Sequence, residues 1–501
     1  MILILDLGGN FSRNLGKKIR QSNVYCEIVP YNYSLDEIKA KKPEGIIIIG
    51  GEDKELSGLN KDIFNMGIPV MAIGYGTKLI EEIYGGKSTQ SIHNEYDFHS
   101  VKVDRESLLF NGMDNTLDLC MDKEYVFASI PQGFKKIAEF EGNVVAVEKE
   151  DDKIYGVKFH PEVEDSADGK CVIDNFLFKV CNCDKNWNME EFVNNSIEEI
   201  KRTVGNKKAL CALSGGVDSS VSAVLVHRAI GDNLVCVFVD HGLLRKKEKE
   251  QVIDTFKKKF NMNLITVDAK DRFLNRLKGV TDPERKRKII GEEFIRVFEE
   301  EKNKLTDIEF LVQGTIYPDI IESGMDGKGL VKSHHNVGGL PENMDFQLIE
   351  PVKQLFKDEV REVGRLLGIP EEIVNRQPFP GPGLGVRVLG EVTEEKLEVL
   401  RDADYIFREE IEKAKLNDRI WQYFAIIPDI RSVGVIDGER TYNYTIILRA
   451  VNSIDAMAAT WAKIPLDVLD RVSKRITSEV PKVNRVVYDI TDKPPATIEW
   501  E

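Results

Sequence analysis

Short apolar runs alternate with amphipathic stretches along the first third of the chain. Ile2–Leu5, Gly45–Ile49, Pro69–Ile73 and Ile154–Phe159 are rich in β-branched and other apolar residues, as strands buried on both faces are. Arg13–Arg20 and Thr77–Ile83 have helical periodicity. This alternation predicts βαβ units and a mostly parallel sheet. Lys185–Arg202 is polar and charged with helical spacing, which suits a connecting helix. A second α/β pattern follows, with strands at Ala209–Leu213, Leu234–Asp240, Asn263–Asp268 and Phe310–Gln313. Its helices are expected at Ser219–Ile230, Lys246–Lys259 and Asp282–Lys304. Arg376–Gly383 reads RQPFPGPG, and its three Pro and two Gly break any helix or central strand. Beyond it come a helix near Glu394–Ala414 and strand-like runs at Ile420–Ile427, Tyr444–Ala450 and Arg485–Ile490. The expected fold is α/β: two consecutive parallel-sheet domains, 1–184 and 185–375, followed by a smaller α+β domain, 376–501.

Composition narrows the function classes. Of 501 residues, 42% are hydrophobic and 31% charged, the balance of a soluble globular chain. No apolar run approaches the roughly 20 residues of a membrane span, so no membrane partner is expected. The opening MILILDLGGN has no basic stretch or cleavage site and predicts a buried strand rather than a secretory leader. The seven Cys are scattered, and the Cys181-x-Cys183 pair fits neither a zinc site nor a redox motif. Reduced thiols in the cytoplasm are the expectation. A net charge of −15 argues against a large nucleic-acid footprint.

The sharpest motif is Ala212-Leu213-Ser214-Gly215-Gly216-Val217-Asp218-Ser219-Ser220. It follows one expected strand and opens a helix. Gly215 and Gly216 permit a tight turn and close approach to a ligand, while the helix N-terminus offers amide groups to an anion. Ser214, Ser219 and Ser220 add hydroxyls. Asp218 suits phosphate binding only through a bridging Mg²⁺. There is no Lys-bearing P-loop motif. S-G-G-x-D-S resembles the pyrophosphate loop of ATP pyrophosphatases, with Asp240 ending the next strand.

From Ala209 to Glu501 the chain resembles the GMP synthetase family through VDHGLLRK (239–246), GVTDPERKRKIIGEEFI (279–295), QGTIYPDIIES (313–323), KSHHNVGGLP (332–341), RQPFPGPGLG (376–385) and DKPPATIEWE (492–501). The resemblance implies ATP-dependent adenylylation of XMP, displacement of AMP by ammonia, and the cofactors ATP and Mg²⁺. It places Lys332, His334 and His335 on a lid over the phosphates. Asp319 and Glu322, three apart, would hold Mg²⁺ or steer a proton, and Lys357 and Asp358 form a charged cluster near ATP; a solvated helix face is the alternative for both pairs. The XMP pocket is assigned Gly381, Gly383, Arg485, Lys493, Ile498 and Glu499. The last domain is expected to make a homodimer. Three departures are visible: Lys353 where Arg is usual, Ala456 and Thr460 in place of Gly and Asp, and the inverted pair Asp437-Gly438.

Residues 1 to about 183 resemble a class I glutamine amidotransferase, whose nucleophilic Cys stands on a strand-to-helix turn assisted by His-x-Glu. Here the turn reads Ala72-Ile73-Gly74-Tyr75-Gly76-Thr77-Lys78. Gly74 occupies the nucleophile position and Lys78 the position of the family's Gln. C-M-D-K-E at Cys120–Glu124 stands near the family's glutamine-recognising stretch. His160 and Glu162 remain, as does Gly50-Gly51, which resembles the oxyanion loop. A glutaminase-inactive domain is therefore expected, with ammonia taken free or from a separate glutaminase. Two other readings stay open: a purine-activating enzyme that uses a different nucleophile, and a non-catalytic nucleotide-binding scaffold.

Overall fold

The computed structural model describes residues 1–9, 11–50, 60–89, 97–121, 126–163, 166–325, 346–436, 438–453 and 456–501, with backbone only at 322–325 and 436. These divide into two compact units. One takes Met1–Phe192 and the described part of Pro318–Val331; the other takes Val193–Tyr317 and the described part of Lys332–Glu501.

In the first unit, strands Cys26–Pro30, Ile2–Asp6, Gly45–Ile49, Val70–Ile73 and Ile154–Val157 lie side by side in parallel. Ile2–Asp6, Gly45–Ile49 and Val70–Ile73 are buried along their whole length, as their unbroken apolar sequence requires. Helix Thr77–Tyr84 packs Leu79 and Ile80 against Ile48, Val70 and Ala72. The sheet then continues in antiparallel fashion through Asn143–Lys149, Lys135–Phe140, Asp97–Val103 and Thr116–Met121. This half adds to the parallel pattern read in the sequence.

The second unit holds two sheets. The first is parallel throughout, in the order Asn263–Asp268, Leu234–Asp240, Lys208–Ala212, Ile308–Val312, Gln347–Ile349. The chain leaves the central strand Lys208–Ala212 toward one edge and later returns to build the other. The turn after that strand therefore sits at a topological switch point, where the carboxyl ends of the strands leave a crevice for a ligand. The second sheet is built around the long strand Glu439–Asn452. Gln422–Ile426 and Arg431–Ile436 pair with it antiparallel and Val483–Asp489 parallel. Helices Glu394–Lys413 and Leu466–Glu479 cover this sheet with Leu397, Leu400, Phe407, Val468, Val472 and Ile476. One apolar core runs from Val235, Leu243 and Phe273 to Leu384, Leu397 and Leu448, so the two sheets of this unit share an interior.

Candidate active site

The turn after Lys208–Ala212 has the shape its glycines imply. Gly215 has φ +76°, a left-handed conformation that other residues adopt at a cost of roughly 1 kcal/mol. A Cβ there would also lie 3.0 Å from Val252 and 3.2 Å from the Arg376 guanidinium. Gly216 caps helix Val217–Ile230 with no side-chain hydrogen bond, which leaves the first-turn amides directed at the crevice. Ser214 Oγ lies 2.9 Å from Ser219 Oγ and accepts from Gly216 N at 3.3 Å. These groups are small, polar and gathered at the mouth of the turn. Ser220 is fully buried inside the helix, behind it. Gly314 presses against Asp218 and Ser219, where a Cβ would come within 3.0 Å of the Ser219 amide. The chain at Gly314 thus runs directly against the turn.

Asp218 receives the Lys357 ammonium at 2.5 Å on Oδ2. Its Oδ1 is buried and has no hydrogen-bond partner among the described residues. Among those residues no three His, Cys, Asp or Glu side chains converge as a metal cage. A single orphaned carboxylate oxygen suits Mg²⁺, which completes its shell with phosphate oxygens and water. Asp240 is already engaged, accepting from Gly242 N at 3.1 Å and pairing with Lys249 at 2.7 Å. Asp358 is exposed on helix Lys357–Leu366. Asp319 lies partly exposed on helix Tyr317–Met325; the Glu322 side chain, Lys332, His334 and His335 lie outside the described residues.

The 376–383 segment touches the turn through Arg376 and lies against His241 and Leu243 through Gly383. Gly383 has φ +62°, and its missing Cβ lets Leu243 O come close; Leu384 N donates to that carbonyl at 2.8 Å. Gly381 is exposed with open space around it. His241 is buried beneath, its rings neighbours Phe273 and Phe294 at 5.6 and 4.9 Å. Burial pushes its pKa down to about 4, so it is neutral near pH 7, and its Nδ1 accepts from Leu243 N at 3.1 Å.

Several charged residues not singled out in the sequence gather here. Arg245, Arg376 and Arg387 surround the Phe379 ring, at 4.4, 5.6 and 5.2 Å from its centroid, each placed for a cation–π contact. Glu248, buried, pairs with Arg376 and accepts from Arg245 N at 3.0 Å. Burial raises the Glu248 pKa, but the Arg376 and Arg245 charges outweigh it and hold the carboxyl down to about 2. Burial, then the Arg376 charge, lower Arg245 to about 9. Arg245, Glu248 and Arg376 line a cleft of about 1340 Å³ that also reaches Tyr423 and Ser453. Local sequence could not reveal this cluster, because the Arg245–Glu248 pair meets Arg376 and Arg387 only through the fold.

Glu499 is gripped by Arg387 at 2.8 and 3.1 Å and by Gln422 Nε2 at 3.1 Å. Ile498 packs with Phe424, Ile426 and Val451. Lys493 Nζ donates to Ala456 O at 2.8 Å, while Arg485 stands exposed on strand Val483–Asp489.

In the first unit, strand Val70–Ile73 runs into a tight turn and helix Thr77–Tyr84. Gly74 has φ +56°, and a Cβ there would fall 2.9 Å from His160 Cε1 and 3.1 Å from Nε2. His160 Nδ1 meets Glu162 Oε1 at 2.7 Å, both residues buried. The imidazole thus stands against the space that a side chain at 74 would enter. Lys158 is buried beneath the turn. It donates to Thr77 Oγ1 at 2.5 Å, Ser88 Oγ at 2.7 Å and Glu81 at 2.9 Å, and Thr77 Oγ1 in turn donates to Gly74 O at 2.7 Å. Gly51 and 122–124 lie outside the described residues.

Three known families match parts of the chain: Glutamine amidotransferase class-I at residues 3–180, NAD synthase at 188–292, and GMP synthase C terminal domain at 409–500. Relatives match it from end to end. The GMP synthase [glutamine-hydrolyzing] of Clostridium tetani is 58% identical over 100% of this chain and 99% of its own. That of Clostridium kluyveri is 58% identical, with the same coverage. The Acetivibrio thermocellus protein of the same name is 56% identical, also over 100% of this chain and 99% of its own. With a glycine turn at the switch point of a parallel sheet and this end-to-end likeness, the chain belongs to the GMP synthase family.

Proposed function

We propose that this chain is an ATP-dependent ligase that converts XMP to GMP with ammonia, and that its first domain does not hydrolyse glutamine. The turn Ser214–Asp218, with its left-handed glycine, clustered hydroxyls and orphaned Asp218 oxygen, is the observation that carries the ligase reading. The XMP O2 attacks the α-phosphorus of ATP, and pyrophosphate leaves. Ammonia then adds at C2, AMP departs with the former XMP oxygen, and the new amine releases a proton to solvent.

The turn's amides and hydroxyls hold the departing pyrophosphate where negative charge grows, the point at which fixed dipoles contribute most. Asp218, through its unpartnered Oδ1, would hold a Mg²⁺ ion, and that ion would supply charge neutralisation there. Lys357 keeps the Asp218 carboxylate oriented through Oδ2. Lys332, His334 and His335, outside the described residues, are assigned to the ATP phosphates. Asp319 and Glu322 are assigned to metal or proton handling, and Asp358 to the charged rim beside ATP.

Loop Phe379–Gly383 offers backbone amides to the XMP 5′-phosphate, with Arg485 and Lys493 as cationic partners and Ile498 against the purine. Glu499, on exchanging its Arg387 contacts, accepts from the purine or ribose. A homodimer through the last domain is supported by the exposed apolar residues Val433 (58%), Val435 (69%) and Tyr442 (63%) on adjacent strands. We assign domain limits of 1–184, 185–375 and 376–501 and a cytoplasmic location.

The names of the relatives include glutamine hydrolysis. In this chain residue 74 is glycine, which has no atom to form a thioester. Ammonia then comes free or from a separate glutaminase. The test of the ligase chemistry is isotopic. With XMP carrying ¹⁸O at C2, ATP, Mg²⁺ and ammonium, the label should appear in AMP in step with GMP. Unlabelled AMP, or no GMP, would contradict it.

A further inference from the structure

Arg376 touches both sides of the crevice. Nη1 donates to Gly215 O at 2.6 Å, and Nη2 meets Glu248. A trans peptide sets the carbonyl of one residue opposite the amide of the next. Drawing the Gly215 carbonyl toward Arg376 therefore turns the Gly216 N–H the other way, to the side where it already meets Ser214 Oγ at 3.3 Å. That N–H is one of the donors the nucleotide turn has for pyrophosphate. The absence of a side chain at Gly215 makes this approach feasible, since a Cβ would stand 3.2 Å from the guanidinium.

On its other side, Arg376 begins the loop that carries Phe379 and Gly381. Its guanidinium shares the Phe379 ring with Arg387, and Arg387 holds both oxygens of Glu499. A continuous series of contacts thus runs from the Gly215 carbonyl through Arg376, Phe379 and Arg387 to Glu499. Three guanidiniums around one ring repel one another, and Glu248 and Glu499 are the carboxylates that balance them. If Glu499 turns to a purine, Arg387 loses its partner and the ring and Arg376 must readjust. That adjustment reaches the peptide that aims Gly216 N–H.

We infer that Arg376 is a positioning residue that couples occupancy of the XMP pocket to the geometry of the ATP turn. This rests on the ligase reading above. The coupling is thermodynamic and therefore reciprocal.

Calorimetric binding of Mg²⁺ with α,β-methylene-ATP, with and without saturating XMP, tests it. The unaltered chain should bind the ATP analogue about tenfold tighter with XMP present, within the range usual for coupled sites. In Arg376→Gln that factor should fall below about twofold, although each nucleotide alone still binds. Arg376→Lys, which keeps the charge and one donor, should restore part of it. If Arg376→Gln fails to fold because Glu248 is stranded, the double variant with Glu248→Gln removes that buried charge and should show the same loss. Coupling that survives in either variant, or no coupling in the unaltered chain, would overturn the inference while leaving the ligase reading intact. A chain that binds neither nucleotide would overturn both.

Discussion

At the scale of single residues, backbone conformation explains one departure and exposes another. Gly438 takes φ +85°, so the inverted Asp437-Gly438 pair still places glycine in a left-handed position; Asp437 lies outside the described residues. Ala456, by contrast, has φ +66°. Its amide donates to Ser453 Oγ at 2.9 Å and its carbonyl receives Lys493, contacts that hold it in a conformation costly for a Cβ. Ala456→Gly should raise stability by about 1 kcal/mol, read as a higher urea midpoint at unchanged slope. An unchanged or lower midpoint would show that the turn carries no strain. His241 gives a pH signature. Its folded pKa is depressed to about 4 from 6.5 by burial. Below pH 6.5 the unfolded chain gains a proton that the folded chain refuses, so stability falls as pH drops from about 6.5 to about 4. The loss is of the order of 3 kcal/mol. His241→Gln should remove this part of the dependence, seen as a narrowing stability gap between variant and parent over that range.

At the scale of elements, the parallel strands were legible because burial on both faces leaves a continuous apolar run, and Gly45–Ile49 and Leu234–Asp240 begin and end where the sequence placed them. The antiparallel strands were not. Lys135–Phe140 reads KKIAEF with its two lysines exposed, and such half-solvated strands resemble loops in composition. The helix expected at Lys246–Lys259 starts instead at Glu248, because Lys247 takes φ +65°, and continues to Lys259. The turn at Gly215 and the elbow at Gly74 were legible as glycine between a strand and a helix. The Arg245–Glu248–Arg376–Arg387 cluster was not, because nothing periodic links Arg245 and Glu248 to Arg376 and Arg387, more than a hundred positions further along the chain. The elbow yields its own prediction. Gly74→Ala should cost about 1 kcal/mol for the left-handed φ and displace His160, while ammonium-dependent GMP formation stays within about twofold. A tenfold loss of that rate would tie the elbow to the ligase reaction.

At the scale of the molecule, the proposed homodimer is tested on the last sheet, where Val433, Val435 and Tyr442 are exposed on adjacent strands. Val435→Asp should convert a dimer to a monomer in sedimentation; a monomeric parent, or a variant that remains dimeric, would remove this face from the assembly.

The central claim is a ligase that has kept its nucleotide chemistry and lacks its own nitrogen-releasing nucleophile. The most direct measurement gives the chain ATP, XMP and Mg²⁺ with either ammonium or amide-¹⁵N glutamine, and follows GMP, its ¹⁵N content and glutamate together. Ammonium should sustain turnover, while glutamine should give neither ¹⁵N-GMP nor glutamate above the rate without enzyme. Glutamine-driven ¹⁵N-GMP with matching glutamate would contradict the account at its root.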